Sequence, residues 1–300
     1  MPKVQISIVH YAEEKNYRTF NDVLFTLVKS IRELTKHPYR LNVIDNQSHK
    51  IASEDMKAKI PDVEIIRAKG EHHTFPAGAN TAIENMQGDY LVLLHTDLLV
   101  TFNWLTSLVK NLQTIEKQFG VPCATSPLLL PYPKKDAELF KREWRVDVRT
   151  PTAVSSYMSR YGVPWKMWDD LPIAISNPGL VTDNGHQLGG AYIASKAFFE
   201  EVGPYDPEIN RFNDKDYGIR ALMTRCRNTI SNRAYLHHMG GLHKGCGVYL
   251  DAENQYADKE LGSYAVFQRK WGVEVLRKVI NGSIWIELHE KQQRKYAKNP

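Results

Sequence analysis

The chain has 300 residues, 42% hydrophobic and 24% charged, which suits one large or two small globular domains and excludes disordered, collagen-like and disulfide-scaffold classes. The net charge of +5 is confined to one end: residues 263–300 hold eight basic and three acidic side chains, and residues 1–262 hold 31 of each sign. The excess therefore does not argue for a nucleic-acid partner.

Val4 to Val9 reads as a strand, and Phe20 to Leu34 as a helix with Val23, Leu24, Leu27, Val28, Ile31 and Leu34 at helical spacing. Leu41 to Ile44 is a second strand, ended by the turn-forming Asp45-Asn46-Gln47-Ser48. Val63 to Arg67 is a third strand. Ala77 to Asn85 is helical up to Gly88, and Tyr90 to Leu94 is a fourth strand running into His95-Thr96-Asp97. Strands separated by helices predict an α/β fold with a mainly parallel sheet, whose ligands bind outside the carboxyl ends of the strands. His10, Tyr11, Asp45 and Asp97 stand at those ends.

A helix from Trp104 to about Phe119 leads into Pro-rich segments, Pro122 to Pro133 and Pro151 to Pro178. With Trp144, Tyr157, Trp165 and Trp168, these read as loops over a site. A short strand at Gly189 to Ala194, a helix from Lys196 to Val202 and another from Asn213 through Met223 follow. A Gly-rich segment, His237 to Gly245, precedes a helical tail with Tyr264, Phe267 and Trp271 on one face. Cys123, Cys226 and Cys246 are widely spaced without a CxxC pair, so neither a disulfide framework nor a zinc-thiolate site is expected. With no signal-peptide core after Met1 and no run of 18 apolar residues, the expected location is cytoplasmic.

No GxxxxGK[ST] loop is present, nor a GxGxxG after the first strand, which argues against P-loop NTPases and dinucleotide-dependent dehydrogenases. Asp97, at a strand end, suits a divalent cation bridging phosphates, or caps the helix that follows. His237, His238 and His243 lie among glycines with Lys244, a pattern for metal or phosphate, or a surface loop. Asp214 and Asp216 open a helix, where carboxylates cap and oppose the dipole or one serves as a general base.

In order, Val43 to Ser48, Gly78 to Ile83, Gly88 to Asp97, Gly189 to Tyr192, Glu201 to Asp206, Phe212 to Arg220 and His238 to Gly241 resemble the motif succession of family-2 glycosyltransferases of GT-A fold. The version around Asn213-Asp214-Lys215-Asp216 is similar to galactofuranosyl- and rhamnosyltransferases. The resemblance covers most of residues 3–272. It implies a Rossmann-like GT-A domain whose residues 1–100 bind the nucleotide sugar and whose residues 101–262 bind acceptor and catalyse, with 263–300 a basic helical tail.

Carried over by position, the resemblance gives Asp45 the nucleotide base, lined by His10 and Tyr11, with Asn80, His243 and Lys244 also toward the donor. Asp97 matches the last position of the DxD metal motif, with His95 in place of its first Asp. His238 matches a later metal or diphosphate histidine, Gly189 and Gly190 let the backbone approach the donor sugar, and Asp214 matches the catalytic base. Trp165, Trp168 and Asp216 are expected on the acceptor side, with Asp169 and Asp170 as competing bases.

The implied activity is inverting transfer from a UDP- or dTDP-linked sugar to a hydroxyl of a glycan or glycolipid, assisted by Mn²⁺ or Mg²⁺. Two alternatives stand beside it: a recognition protein of the same fold that has lost transfer, suggested by His95 and Asn213, and a sugar-1-phosphate nucleotidyltransferase, whose Gly-rich signature is absent after Val9. For the tail, Arg269, Lys270, Arg277 and Lys278 are expected to face water. Lys291, Arg294, Lys295 and Lys298 offer peripheral contact with an anionic membrane face or an acceptor-bearing partner.

Overall fold

A computed structural model describes residues 2–70, 73–101, 103–131, 181–182, 190–210, 212–238, 265–280 and 283–296. β1 (Val4–His10) is buried at every position, as a central parallel strand covered on both faces must be. α1 (Tyr17–Leu34) turns Phe20, Leu24, Leu27, Val28 and Ile31 inward, a stripe at helical spacing that lies along the sheet. β2 (Arg40–Asp45), α2 (Lys50–Lys59) and β3 (Glu64–Arg67) extend the sheet on one side of β1. α3 (Phe75–Glu84) crosses to β4 (Tyr90–His95) on the other side.

β5 (Leu98–Val100), α4 (Trp104–Phe119), β6 (Cys123–Pro131), β7 (Val181–Thr182), β8 (Ala191–Ser195), α5 (Lys196–Val202), α6 (Asn213–Met223) and β9 (Arg227–His238) follow. The described chain ends with α7 over residues 265–271, α8 (Val273–Ile280) and α9 (Ser283–Tyr296). Among the described residues the strands form one sheet in the order β3-β2-β1-β4-β8-β6-β9-β5, with β7 paired to β9. β1, β2, β3, β4, β6 and β9 run one way, and β5, β7 and β8 oppose them. The mainly parallel expectation holds, with the antiparallel strands all beyond β4.

Alternation along β1 divides the core between the two faces of the sheet. Ile6 and Ile8 pack with Leu24, Leu27, Trp104 and Leu108 under α1 and α4. Val9 packs with Ile44, Leu91, Leu93, Phe198 and Tyr217 on the α3, α5 and α6 side. Gly78 makes the second face possible: a Cβ there would lie 2.4 Å from Val9 Cγ1, so only glycine lets α3 approach β1 this closely. A third cluster, Ile209, Ile219, Leu222, Phe267, Leu276, Val279, Ile284 and Trp285, packs the C-terminal helices onto α6.

Several readings change. The Pro-rich stretch after Pro122 is in part a strand, β6, whose register shifts between Pro127 and Leu128 because proline gives no ladder N–H. His237 and His238 are the last residues of β9 rather than part of a loop. In the tail, Phe267 is buried and Trp271 is partly buried, as expected, but Lys270 does not simply face water: its Nζ lies 2.8 Å from both Asp206 and Asp216. Arg269 pairs with Glu208, Arg277 with Glu274, Lys278 and Lys291 with Glu287, and Arg294 with Glu290. Among the described residues no helix is long and apolar enough to cross a membrane.

Candidate active site

Parallel register sets His10 beside Asp45 on one flank, and Val9 beside His95 on the other, at the carboxyl edge of the sheet. From the opposite direction, β8 brings Gly190, whose carbonyl accepts the His95 backbone N–H at 2.8 Å. A Cβ at Gly190 would lie 3.6 Å from the His95 ring, so strand and imidazole are in close contact. One step beyond, β5 and β9 register Leu98 against His238. Four segments far apart in sequence therefore meet around His95-Thr96-Asp97.

The His95 ring lies 4.2 Å from that of Phe75 at the start of α3. Asp97 is 3% exposed. Thr96 Oγ donates to the Val9 carbonyl at 3.0 Å and is 3.3 Å from His10 Nδ1. His10 Nε2 lies 3.0 Å from Asn21 Oδ1. The His10 ring is thus enclosed, and burial lowers its pKa to about 4, with Asn21 and Asp45 opposing. His10, expected to line the nucleotide pocket, stands between α1 and the Thr96 turn. Tyr11, half-buried, lies 5.4 Å ring to ring from His73, and burial, with Glu13, raises its phenol pKa.

Asp45, expected at the nucleotide base, is buried among bonded partners. At 1% exposure, one carboxylate oxygen accepts the Ser48 N–H at 2.8 Å, and the other takes Ser53 Oγ and Arg67 Nη1, both at 2.7 Å. It organises the turn after β2, and the cluster's outward group is Arg67, about half exposed. Asn80 joins both its amide ends to the Tyr205 backbone, at 2.7 and 3.0 Å, so it serves as a clasp between α3 and the chain before α6. It also lines a cavity of about 490 Å³ with Arg67, Lys69, Glu84 and Pro207.

Asp214 stands in the first turn of α6, half-buried, its carboxylate 3.7 Å from Lys215 Nζ. Burial raises its pKa, with Lys215 opposing. A row of rings links this helix to the strand edge: Phe75 meets Tyr205 edge-on at 6.1 Å, and Tyr205 stacks on Tyr217 at 3.8 Å and 6°. Burial pushes the Tyr205 phenol well up. Asp216, expected on the acceptor side, is fully buried and bonded to Arg220, Trp271 and Lys270. Trp165, Trp168, Gly189, His243 and Lys244, with Trp144, Tyr157, Asp169, Asp170, Tyr264 and Lys298, lie outside the described residues.

The sequence alone assigns no site role to Arg67, Phe75, Thr96 or Trp271. Arg67 was the detectable one, a cation ending a strand beside Asp45. Among the described residues no group of three His, Cys, Asp or Glu side chains gathers to hold a metal. Asp97 with His95 supplies one oxygen and one nitrogen donor on a single turn. A carboxylate beside an imidazole suits Mn²⁺ better than Mg²⁺, whose ligands are oxygens, with phosphate and water filling the remaining positions.

Residues 11–148 match the family described as Glycosyl transferase family 2. The chain carries a glycosyl transferase family 2 region. This family-2 region includes β2, α3 and the His95-Thr96-Asp97 turn. A curated relative, "Probable N-acetylgalactosaminyltransferase 6" of Caenorhabditis elegans, is 22% identical over 242 residues, covering 77% of this chain and 36% of the relative. Two solved structures share the GT-A fold. S. aureus TarS 1-349 in complex with UDP-GlcNAc has a TM-score of 0.53 at 13% identity, over 95% of this chain and 79% of that one. GalNAc-T7 with UDP, GalNAc and Mn2+ has a TM-score of 0.51 at 14% identity, over 80% and 44%. The chain therefore spans little more than a third of that curated relative and under half of GalNAc-T7.

Proposed function

We propose that this chain is an inverting glycosyltransferase that moves a sugar from a UDP- or dTDP-linked donor to a hydroxyl of a glycan or glycolipid. The observation that carries the reading is the meeting of His95-Thr96-Asp97, Gly190 and the end of β9 at the carboxyl edge of the sheet, within or beside a region of family 2. UDP in GalNAc-T7 and UDP-GlcNAc in TarS favour uridine over thymidine.

In this reading Asp97, with His95 or His238, would hold a divalent cation that neutralises charge on the departing diphosphate. Arg67, facing outward from the Asp45 cluster, meets the nucleotide. Gly190 leaves room for the sugar beside His95. Asp214 takes the proton from the acceptor hydroxyl, whose oxygen forms the new bond to the anomeric carbon as the bond to the diphosphate breaks on the opposite face. One displacement inverts the configuration. Because burial raises the Asp214 pKa, the ionised base is lost as pH falls through a value above the usual aspartate range, and the acidic limb of kcat sits correspondingly high.

Calorimetry with UDP and Mn²⁺ beside a product assay over a panel of UDP- and dTDP-sugars tests the proposal. Metal-dependent UDP binding together with an inverted glycoside product is expected, and EDTA abolishes both. Binding without turnover of any donor would replace the reading with the recognition protein. Undiminished turnover in EDTA would remove the cation role of Asp97.

A further inference from the structure

We infer that two residues of the C-terminal helix α7, Trp271 and Lys270, are positioning residues that hold, through Asp216, the turn on which Asp214 stands. The inference rests on the reading of Asp214 as the base and adds what fixes that base in place.

A fully buried carboxylate is costly unless its oxygens are bonded. Asp216, at 0% exposure, receives Trp271 Nε1–H at 2.8 Å and Lys270 Nζ at 2.8 Å on one oxygen, and Arg220 Nε–H at 3.1 Å on the other. Arg220 belongs to α6 itself and, while holding Asp216, also reaches the Val202 carbonyl at the end of α5 at 3.1 Å. Trp271 and Lys270 come from a separate helix, Trp271 lying 55 residues further along the chain. They fasten the first turn of α6 from outside.

The other side of Asp214 is held by the same helix. Phe212 precedes α6 with φ 63°, a left-handed conformation that bulky side chains adopt only when neighbours impose it. One neighbour of Phe212 is Phe267 of α7, fully buried, its ring 5.5 Å from that of Phe212. Phe212 and Asp216 are themselves joined by a backbone hydrogen bond of 2.8 Å. Asp214 thus sits midway between two points pinned by α7. Lys270 also bonds Asp206 at 2.8 Å, tying in the segment that ends at Tyr205.

The test compares Trp271→Phe, which keeps a ring but loses the N–H, and Lys270→Met, which keeps the stem but loses the charge, in the full chain. Arg269→Ala, which removes an exposed pair with Glu208, is the neighbouring control. Each variant is checked for fold by circular dichroism, for UDP affinity by calorimetry, and for kcat and donor KM with the donor that the unmodified chain turns over. Misplacing a catalytic group by 1 Å costs on the order of 100-fold. Trp271→Phe and Lys270→Met should therefore lose roughly 10- to 100-fold in kcat, with UDP affinity and donor KM unchanged and the control unaffected.

Folded variants with wild-type kcat would overturn the inference, as would a loss shared equally between kcat and KM. If Trp271→Phe fails to fold, Lys270→Met decides. Asp214→Asn in the same series separates the two levels. If it is inactive while the α7 variants are fully active, only the clamp falls; if it is fully active, the base assignment falls and the clamp with it.

Discussion

His10 shows what a polar side chain costs at the edge of a buried strand. Its folded pKa of about 4 lies below the ordinary 6.5, so between these values the unfolded chain binds more protons than the folded one. The stability from keeping the ring neutral is fully present above pH 6.5 and is lost as pH falls toward 4. A shift of this size corresponds to about 3 kcal/mol. Urea unfolding at pH 7 and pH 4 should show that loss in the native chain and a smaller one in His10→Gln; equal losses would contradict the assignment. Asp45 and Asp216 make the complementary point. Both were legible as carboxylates at functional-looking positions, but their partners, Arg67 at 22 residues' distance and Trp271 at 55, come together only in the folded chain.

At the scale of elements, α3 depends on one glycine. Gly78→Ala puts a methyl 2.4 Å from Val9 Cγ1, on a β-branched side chain that is 8% exposed. Overpacking costs about 1–3 kcal/mol against about 1 kcal/mol gained in helix propensity, so a net loss near 1 kcal/mol is expected on chemical denaturation. Val9→Ala in the same chain should cancel part of it, and strict additivity of the two changes would show that the contact does not matter. The first three strands, β4, α1 and α4 were readable because their apolar residues keep a clean period. α2 was not, since it buries only Ala52, Ser53 and Met56 and shows little apolar signal. β6 and the end of β9 were hidden by prolines and glycines that usually mark loops. Asp214, the His95-Thr96-Asp97 turn and Gly190 stood out by their position at element ends, whereas the clasp of Asn80 on Tyr205 had no local signature.

For the molecule as a whole, the C-terminal helices close the fold instead of trailing from it. A chain ending at residue 264 would lose Phe267, Leu276, Val279, Ile284 and Trp285 from the third cluster. At about 1.5–3 kcal/mol per buried side chain the sum rivals the whole stability of an ordinary domain, about 5–15 kcal/mol. Such a truncation should be recovered only as aggregate. Ending after Ile286 keeps those side chains but removes Gln292, which bonds the Thr224 and Cys226 carbonyls at 2.9 and 2.6 Å, and should give a soluble, less stable protein. Recovery of the shorter chain as a stable monomer by size-exclusion chromatography would contradict this. The positive charge at this end is largely spent in ion pairs among the described residues, including the pairing of Lys270 with buried Asp216.

The central claim, transfer of a sugar with Asp214 as base, is tested most directly by the rate of product formation in Asp214→Asn. Removing a general base costs about 10²- to 10⁴-fold in rate. The variant should fold, bind UDP as the native chain does, and lose turnover by that factor. Turnover at the native rate would contradict the claim.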